Sequence, residues 1–496
     1  MVYHYDAVKF FRKFYKGNFF LVGLYSGQGE YQSKPFTQRN NVMKESLSPL
    51  ARADMDSLLH PFTNLSAHSR CGPLIISSGR GIHVYDEQGR EYIEAMSGLW
   101  CAMLGFSEEE LTRAATEQLR RLPYYHMFSH KSHDPGIRLA EKLAAMAPEP
   151  LSRVFLTNSG SEANDTAVKL IWYYNNALGR PEKKKIIARQ RAYHGVTLAS
   201  GSLTGLPLNH RDFDLPLPRF LHTDCPHYYR ESRPGESGEE FSTRMALRLE
   251  QLIQDEGPHT VAAFVAEPVM GAGGVIPPPP GYFEKVQQVL KKHDVLMVAD
   301  EVITGLGRTG SLWGCQTYGI RPDMLISAKQ LSSGYLPIAA VLVSRELDRV
   351  LVQQSEKLGL FAHGFTYTGH PVSAAVALRN LELFEERGLL ENVRRLAPVF
   401  AAGLERLAGH PLVGDARGVG LIGGLELMAD RDTRRPYDPE KKAGLKVFER
   451  CQENGLIVRA IGDIIALCPP LIITAEQLEE IFRRLEKSLD EAKSLL

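Results

Sequence analysis

The 496-residue sequence lacks an excess of charge of either sign. Lys and Arg together number 58, and Asp and Glu also number 58, so the formal net charge is zero. This balance does not indicate a nucleic-acid or anionic-membrane partner, although a local basic patch is compatible with a neutral total. Long apolar runs are also missing, since none approaches the roughly 20 residues that a membrane-spanning helix needs. With 44% hydrophobic and 23% charged residues, the composition is typical of a globular chain of two or more domains.

Cysteine is scarce, and its spacing forms no recognisable pair. The chain contains no C-x-x-C pattern among its six cysteines, which are Cys71, Cys101, Cys225, Cys315, Cys451 and Cys468. A disulfide scaffold or a zinc ribbon is therefore not expected, and no metal site is predicted. We interpret the cysteines as mostly free thiols in a reducing compartment and expect a cytoplasmic protein.

The first 55 residues lack a clean helical period and are rich in Phe, Tyr and Lys. Their apolar piece, FFLVGLY, is too short for a secretory leader, and a mitochondrial presequence would contain more Arg and Ser. Two explanations stay open for 1–55. Either the segment is a poorly ordered extension, or translation is assigned from an upstream start codon and the working start is Met43 or Met55. We prefer both to a targeting role.

After residue 56, short apolar runs alternate with amphipathic helical patterns. The predicted strands are 83–88, 91–96, 153–158, 185–190, 262–269, 295–302, 323–329 and 339–344. The predicted helices include 108–122, 136–147, 161–178, 241–256, 282–293, 370–388 and 475–496. The stretch DARGVGLIGGLEL could begin the C-terminal strands. Continuous Val, Ile and Leu runs between helices favour a mostly parallel sheet that is covered on both faces. Ligands gather beyond the carboxyl ends of such strands.

Two predicted strand ends carry groups that suit a phosphorylated, planar ligand. The residues Ser159-Gly160-Ser161 open a long helix, where hydroxyls and free N–H groups can bind an anion. The plain alternative is an N-cap with a capping-box-like glutamate. Tyr193, followed by His194 and a glycine, could offer its ring to a flat ligand, or it could be a packed tyrosine at the rim.

Two further strand ends carry carboxylates. Glu267 precedes the flexible turn MGAGG, and its plain alternative is a solvated carboxylate at the rim. Asp300 follows five mainly apolar residues, and a carboxylate at that depth needs a cationic or hydrogen-bonding partner. A structural ion pair explains Asp300 as well as a functional role does.

A single lysine, Lys329, ends the apolar run of 323–329. A buried ammonium group must be paired, lose its proton or be used covalently. Lys329 follows Asp300 after a spacing that fits a strand–helix–strand unit, which would bring both to one edge of the sheet. A lysine, a buried carboxylate, a flat aromatic ring and a phosphate cradle are together what pyridoxal 5'-phosphate (PLP) requires. The lysine would form a Schiff base, Asp300 would hold a proton on the pyridine nitrogen, and Tyr193 and Val302 would cover the two ring faces.

The ordered motifs resemble those of a known family. TNSGSEANDTAVKL, RQRAYHGVT, VAEPVMGAGGVIPPPPGYF, VADEVITGLGRTG, LISAKQLSSGYLPI and HGFTYTGHPVSAAVA look like the class III PLP-dependent aminotransferases of fold type I. Within them, the chain most resembles the pyruvate-using ω-transaminases and the plant-type 4-aminobutyrate:pyruvate transaminases. The resemblance begins near Leu58 and implies an α/β fold with a large PLP-binding domain, 105–370. A smaller α+β domain would combine 56–104 with 371–496, and 1–55 would be an N-terminal extension.

The resemblance also implies roles for individual residues. Lys329 and Asp300 would be catalytic, and Thr366 would reach the phosphate of the neighbouring subunit's cofactor, which implies a homodimer with shared active sites. Arg459 would grip a substrate carboxylate and swing aside for an uncharged amine. The remaining cofactor contacts would be Ser159, Gly160, Ser161, Tyr193, His194, Glu267 and Val302, and the remaining substrate contacts would be Phe62, Trp100 and Tyr125.

Two departures from the family pattern bear on the subgroup. Relatives that use 2-oxoglutarate often read EPVQGEGG, whereas this chain has Ala272 in place of the second glutamate, which favours pyruvate as the amino acceptor. Gln330 stands where many relatives have Gly or Ala, and we expect it to face away from the cofactor. The predicted reaction moves an amino group from a primary amine or ω-amino acid to pyruvate. A same-fold enzyme with other chemistry (a 2-oxoglutarate transaminase, an aminomutase or a racemase) and a silent PLP-binding homologue stay as alternatives.

Overall fold

The computed structural model describes residues 47–496, which form two compact units that divide after Ile75. The segment 1–46 and its alternative start at Met43 lie outside the described residues. Met55 lies within the first described helix, Pro49–Ser57. Within residues 47–496, no helix is both long and apolar enough to cross a membrane.

The N-terminal unit contains two short helices, Pro49–Ser57 and Leu65–Cys71. Ser48 and Asn64 cap them, each accepting a hydrogen bond from a first-turn backbone N–H. Asp54 then ties the second helix to the first, because its carboxylate lies 2.9 Å from Nε2 of both His60 and His68. These local contacts give the segment a defined shape although it has few buried side chains.

The second unit contains fifteen strands in three sheets. In chain order they are β1 (Ile76–Arg80), β2 (His83–Asp86), β3 (Glu91–Glu94), β4 (Leu151–Thr157), β5 (Lys185–Arg189), β6 (Phe220–Thr223), β7 (Val261–Ala266), β8 (Leu296–Asp300), β9 (Met324–Ser327), β10 (Ala339–Ser344), β11 (Val413–Val419), β12 (Ile422–Leu427), β13 (Leu456–Ile457), β14 (Arg459–Ile461) and β15 (Ile464–Leu467).

The central sheet has seven strands in the order β4-β10-β9-β8-β7-β5-β6. All neighbours from β9 to β6 run parallel, and only β10 runs antiparallel to its two neighbours. Alternate residues of one strand enter different apolar clusters, since Met297 and Ala299 belong to one cluster and Val298 to another. Both faces are therefore covered, as the continuous apolar runs predicted.

Helices cover this sheet and build the remainder of the unit. In chain order they are Ser97–Trp100, Glu109–Arg121, Asp134–Met146, Gly160–Ala177, Leu198–Leu203, Tyr228–Glu231, Gly238–Glu256, Tyr282–Lys292, Gly314–Thr317, Arg345–Leu358, Pro371–Glu386, Leu389–Ala408, Ala443–Glu453 and Ala475–Lys493. Short 3-10 turns span Pro207–Asn209, Pro258–Thr260, Lys329–Ser332 and Pro439–Lys441. The seven predicted helices are all present, with ends that differ by a few residues.

Two smaller sheets join distant parts of the chain. One has the order β1-β2-β3-β13, in which β13 pairs parallel with β3. The other has the order β11-β12-β15-β14 and begins in the stretch DARGVGLIGGLEL, as expected. The first sheet links 76–94 to 456–457, which is the type of association that the predicted small domain requires. The domain boundaries at 55, 104 and 370 stay predictions.

One local prediction is wrong. The segment between β8 and β9 contains only the four-residue helix Gly314–Thr317 rather than a full crossover helix. The intervening sequence TGLGRTG carries three glycines, two of them, Gly307 and Gly310, with positive φ, so it folds as a compact loop. The two strands nevertheless pair in parallel, with Asp300 opposite Ile326.

Candidate active site

The carboxyl ends of the parallel strands surround a cavity of about 330 Å³. The predicted cofactor residues that line it are Ser159, Gly160, Ser161, Tyr193, His194, Glu267, Asp300, Val302 and Lys329. Further lining residues include Cys101, Asn158, Gly195, Ile303, Ser332 and Gly334. Residues from six separate segments of the chain therefore line one cavity at the sheet edge, where ligands of such folds bind.

The helix Gly160–Ala177 directs its N-terminus at this cavity. Ser159 is its N-cap, and the Ser159 side chain accepts a hydrogen bond from the Glu162 N–H at 3.2 Å. The Glu162 carboxylate in turn accepts from the backbone N–H of Asn158 at 2.8 Å. The capping explanation is confirmed, and the anion-site explanation is compatible with it and stays a prediction, because a helix N-terminus offers further first-turn N–H groups and its dipole to an anion.

Two glycines let the chain segments of this cradle approach each other. A Cβ on Gly195 would lie 2.5 Å from Ser161 Oγ, and the φ of Gly195 is +137°. A Cβ on Gly160 would meet Val302 Cγ2 at 3.3 Å. At Gly195 any side chain would push against the serine that lines the cavity, so glycine is required there.

Asp300 lies at the end of β8 and is only 3% exposed. Its Oδ2 accepts hydrogen bonds from His194 Nδ1 at 2.8 Å and from Asn164 Nδ2 at 3.0 Å. Its Oδ1 accepts from the Val302 N–H at 3.1 Å. Burial opposes ionisation, but these hydrogen bonds outweigh it and hold the pKa of Asp300 below its usual value. The group is therefore an anion in the interior, without a lysine or arginine partner among the described residues.

Lys329 is the only lysine among the residues that line this cavity. Within residues 47–496, its Nζ forms no hydrogen bond or ion pair. Burial lowers the pKa of the Lys329 ammonium group, although the charges of Asp300 and Glu267 partly oppose this effect. An amine that lines a cavity and has a lowered pKa is suited to nucleophilic and acid–base chemistry.

Glu267 closes the cavity at the end of β7 and is 3% exposed, so the solvated alternative is wrong. Its carboxylate accepts from the Tyr193 N–H at 3.2 Å and from the Gly271 N–H at 3.1 Å. Burial raises the pKa of Glu267, while nearby positive groups oppose this. The side chain thus fixes the backbone of Tyr193 relative to the glycine-rich turn.

The other predicted site residues do not line the cavity. Trp100 is 2% exposed and lies in a buried apolar cluster with Ile303, which does line the cavity. Tyr125 is 41% exposed and stacks on His126. Arg459 begins β14, where burial lowers the pKa of its guanidinium group and its charge acts on Tyr193 and Lys329.

Thr366 and Phe62 are both exposed. The backbone oxygen of Thr366 accepts a hydrogen bond from Tyr124 Oη at 2.9 Å. Phe62 belongs to the N-terminal unit, has a positive φ of 48° and is 70% exposed. Their expected roles stay predictions.

Comparison with known proteins gives the family. Residues 65–489 match the family model described as aminotransferase class-III. The chain belongs to the class III aminotransferases. It is 51% identical over 468 residues, 94% of this chain and 89% of the relative, to gamma aminobutyrate transaminase 3, chloroplastic, from Solanum lycopersicum.

Solved structures support the same family. The omega transaminase from Pseudomonas jessenii in complex with PMP is 54% identical, with a TM-score of 0.89 over 90% of this chain and 99% of that one. A structure described as transaminase with L-ala is 56% identical, with a TM-score of 0.84 over 85% of this chain and 99% of that one. The predicted family and fold class are confirmed.

Class III aminotransferases use PLP, and the cavity of this aminotransferase fits that group. A solitary amine lies at one wall, a buried anionic carboxylate lines another part, and a helix N-terminus with two hydroxyls completes the lining. His194 supplies an additional polar position, because its buried Nε2 has no hydrogen-bond partner among the described residues. The predicted cofactor is confirmed.

Three contributors were missed from the sequence. Asn164 donates to Asp300, and a helical spacing of four from Gly160 could have revealed it, since both lie on one helix face. Cys101 lines the cavity, but its contribution depends on a kinked turn, Ser97–Trp100, in which Gly98 and Leu99 depart from helical angles. Glu94 accepts from the Gly98 N–H at 2.5 Å, a contact that no sequence pattern indicates.

Proposed function

We propose that this aminotransferase moves an amino group from a primary amine or ω-amino acid to pyruvate, giving an aldehyde or ketone and alanine. The observation that carries the proposal is the meeting of Lys329 and Asp300 at one cavity of about 330 Å³. The carboxylate is held as an anion, and the pKa of the amine is lowered. Transamination needs an anionic carboxylate and an amine that readily loses its proton at the same site.

The residues of the cavity divide the work. Lys329 would hold the cofactor covalently, and once the donor amine has displaced Nζ from that bond, the freed neutral amine would take the proton from the donor carbon that bears nitrogen. Asp300 would keep the ring nitrogen of the cofactor cationic. When bound, PLP supplies an electron-withdrawing ring next to the reacting carbon. Ser159, Gly160 and Ser161 would bind the phosphate through the helix N-terminus.

The remaining cofactor contacts surround the ring. Tyr193 and Val302 would cover its faces and Glu267 would lie near the ring substituents, while His194 holds Asp300 in place by its hydrogen bond. These assignments are supported by the way that all four side chains line the same cavity.

Pyruvate is proposed as the amino acceptor for two reasons. Ala272 leaves the glycine-rich turn without the second glutamate that would partner Arg459, so the guanidinium group stays available for a small carboxylate. The structure described as transaminase with L-ala is also similar to this chain, and the similarity covers 85% of this chain. Alanine is the product that pyruvate yields on accepting an amino group.

The donor is proposed as a primary amine or an ω-amino acid such as 4-aminobutyrate. The similarity to gamma aminobutyrate transaminase 3 supports the second type. Phe62, Trp100 and Tyr125 are proposed to shape the donor pocket, with Arg459 swinging aside when the donor carries no carboxylate. The cytoplasmic location stays a prediction, since that relative is named as chloroplastic.

A second copy of the chain is proposed to complete the site. A surface groove of about 1140 Å³ runs beside the segment HGFTYTGHP and is lined partly by Phe128, Phe155 and Phe361. Thr366 and Tyr367 stand exposed in the same segment. A homodimer would cover this apolar surface and bring Thr366 to the partner's phosphate. Sedimentation of the purified protein at twice the monomer mass is the expected result.

The function is tested by supplying 4-aminobutyrate or a primary arylalkylamine to the PLP-loaded protein with either pyruvate or 2-oxoglutarate. Formation of alanine from pyruvate, with glutamate formed at least about tenfold more slowly, is expected from loss of the carboxylate partner. Faster glutamate formation would favour the 2-oxoglutarate alternative. Racemisation or rearrangement of the donor without alanine would favour the other same-fold chemistries. No turnover of any donor would favour a silent homologue.

A further inference from the structure

The residue after the candidate lysine is itself buried and fully engaged. Gln330 is 1% exposed, and it does not line the cavity. Its Nε2 donates to the backbone oxygen of Gly305 at 2.6 Å. Its Oε1 accepts from Arg308 Nη2 at 2.8 Å. The Gln330 side chain therefore lies outside the cavity lining, and it forms specific contacts there.

Arg308 is an unusual partner, because it is completely buried and no carboxylate pairs with it among the described residues. Its Nη1 donates to the backbone oxygens of Leu421 at 3.0 Å and of Pro469 at 2.6 Å. Burial lowers the pKa of this guanidinium group. When one acceptor is removed from a buried cation that relies on neutral acceptors, the free-energy cost is large, because the charge is left incompletely hydrogen-bonded. Gln330 is the only side-chain amide oxygen among those acceptors.

The backbone of Lys329 needs external support. Its φ is +47°, in the left-handed region that residues other than glycine seldom adopt. Ser333, which follows the 3-10 turn Lys329–Ser332, also has a positive φ, so the turn begins with one non-glycine residue in this unfavourable region and is followed by another. Asn380 holds the far side of this turn by donating to the backbone oxygens of Gln330 and Leu331, at 2.8 and 3.0 Å.

We propose that Gln330 is a positioning residue that fixes the backbone of Lys329 through Gly305 and Arg308, and so sets where the lysine Nζ stands in the cavity. The amide connects the lysine turn to the loop after β8. Through Arg308 it also connects the turn to the Leu421 and Pro469 segments. A reacting group that is displaced by about 1 Å can lose about 100-fold in rate, so this support affects chemistry as well as folding. The inference rests on the assignment of Lys329 that is proposed above.

The test uses the PLP-loaded full chain with Gln330→Met, which keeps the volume and removes the amide hydrogen bonds to Gly305, Ile303 and Arg308. The matched control is Gln287→Met. The Gln287 amide also bridges two segments, donating to the Gly319 oxygen at 3.1 Å and accepting from the Arg321 N–H at 2.8 Å, but it lies outside the cavity lining. Two readouts are compared: the pH midpoint of the visible absorption band of the bound cofactor, and kcat with KM for the amine donor.

For Gln330→Met we expect kcat to fall by about 10- to 100-fold with KM changed less than about threefold, and the absorption midpoint to move by at least about half a pH unit. The Gln287 variant should keep both values. Gln330→Glu retains an oxygen for Arg308 and should recover part of kcat. A Gln330→Met protein that is less heat-stable but keeps the wild-type midpoint and kcat would overturn the proposal.

If Gln330→Met does not yield folded protein, the proposal is tested with Gln330→Glu by the same two measurements. It loses the hydrogen bond to Gly305, so a drop in kcat of at least about threefold with a moved midpoint supports the proposal. Wild-type values for both overturn it. In a separate experiment, borohydride reduction and peptide mapping of the wild-type protein show whether the cofactor is attached to Lys329. Failure of the lysine assignment is thereby distinguished from failure of the Gln330 inference.

Discussion

Replacing Asp300 by asparagine removes the charge of the candidate site while keeping the shape of the side chain. The carboxylate accepts three hydrogen bonds, two on Oδ2 from His194 and Asn164 and one on Oδ1 from the Val302 N–H. An amide offers only one acceptor oxygen. With that oxygen towards His194 and Asn164, the new NH₂ group would face the Val302 N–H across 3.1 Å. One buried donor is left unsatisfied.

The two consequences differ in size. Leaving a buried donor unsatisfied costs about 1–3 kcal/mol of stability, which lowers the urea midpoint without unfolding the protein. Losing the anion that stabilises developing charge costs about 2.7–4 kcal/mol in the transition state, so kcat should fall about 10²- to 10³-fold. The effect on rate therefore exceeds what the loss of stability can explain.

The pH dependence of stability adds a second signature. The pKa of Asp300 is below its usual value in the folded chain, so the carboxylate stabilises the protein above the usual carboxyl range. That contribution is lost as the pH falls through the folded pKa. The asparagine variant should lack this part of the acid sensitivity.

The assay is a single-turnover half-reaction of PLP-loaded protein with the amine donor, followed by absorbance. The matched control is Asp323→Asn. Asp323 is a partly buried carboxylate that accepts from the Met297 N–H at 2.8 Å and does not line the cavity. The amide of the control keeps an oxygen for the Met297 N–H, so this variant should lose less stability than Asp300→Asn and keep its rate within about twofold. An Asp300→Asn protein that binds PLP and reacts within about tenfold of wild type would refute the reasoning.

Three further predictions concern the surroundings of the cavity. Burial raises the pKa of Glu94 to about 8, so the folded chain holds this proton more tightly and stability should fall as the pH rises from 4.5 to about 8. Urea midpoints of Glu94→Gln should not show that decline. Gly195→Ala should weaken PLP binding at least about tenfold by equilibrium dialysis, because its Cβ would lie 2.5 Å from Ser161 Oγ, whereas Gly179→Ala, with positive φ but open space, should bind normally. Arg459→Met should raise KM for pyruvate by at least about tenfold in steady-state assays and leave KM for an uncharged amine unchanged, since only the carboxylate substrate loses a charge-assisted contact.

Residues at strand ends could be predicted because a continuous apolar run indicates where a strand lies and where it ends. Asp300 and Lys329 each follow such a run, and parallel pairing of β8 with β9 brings the two ends to one edge. The same reasoning placed Ser159 at the start of a long helix, where it is the N-cap, and its role as a phosphate ligand stays a prediction. This reasoning needed no knowledge of the loops between the strands.

Contacts that depend on loop conformation could not be predicted. The crossover helix expected before Lys329 is a glycine-rich loop, and that loop carries Arg308, which contacts residues more than a hundred positions away in the sequence. Gln330 looked uninformative because its partners, Gly305 and Arg308, become neighbours only through that loop. The position of Trp100 also depends on loop conformation. Because of the kink in Ser97–Trp100, its side chain lies in a buried apolar cluster and does not line the cavity.

The central claim is that Lys329 is the lysine that carries the cofactor. The direct measurement is borohydride reduction of the PLP-loaded protein, followed by digestion and mass spectrometric mapping. The account predicts a pyridoxyl phosphate adduct on Lys329 and none in Lys329→Ala. An adduct of full stoichiometry on another lysine, such as Lys183, whose pKa is also lowered by burial, would contradict it.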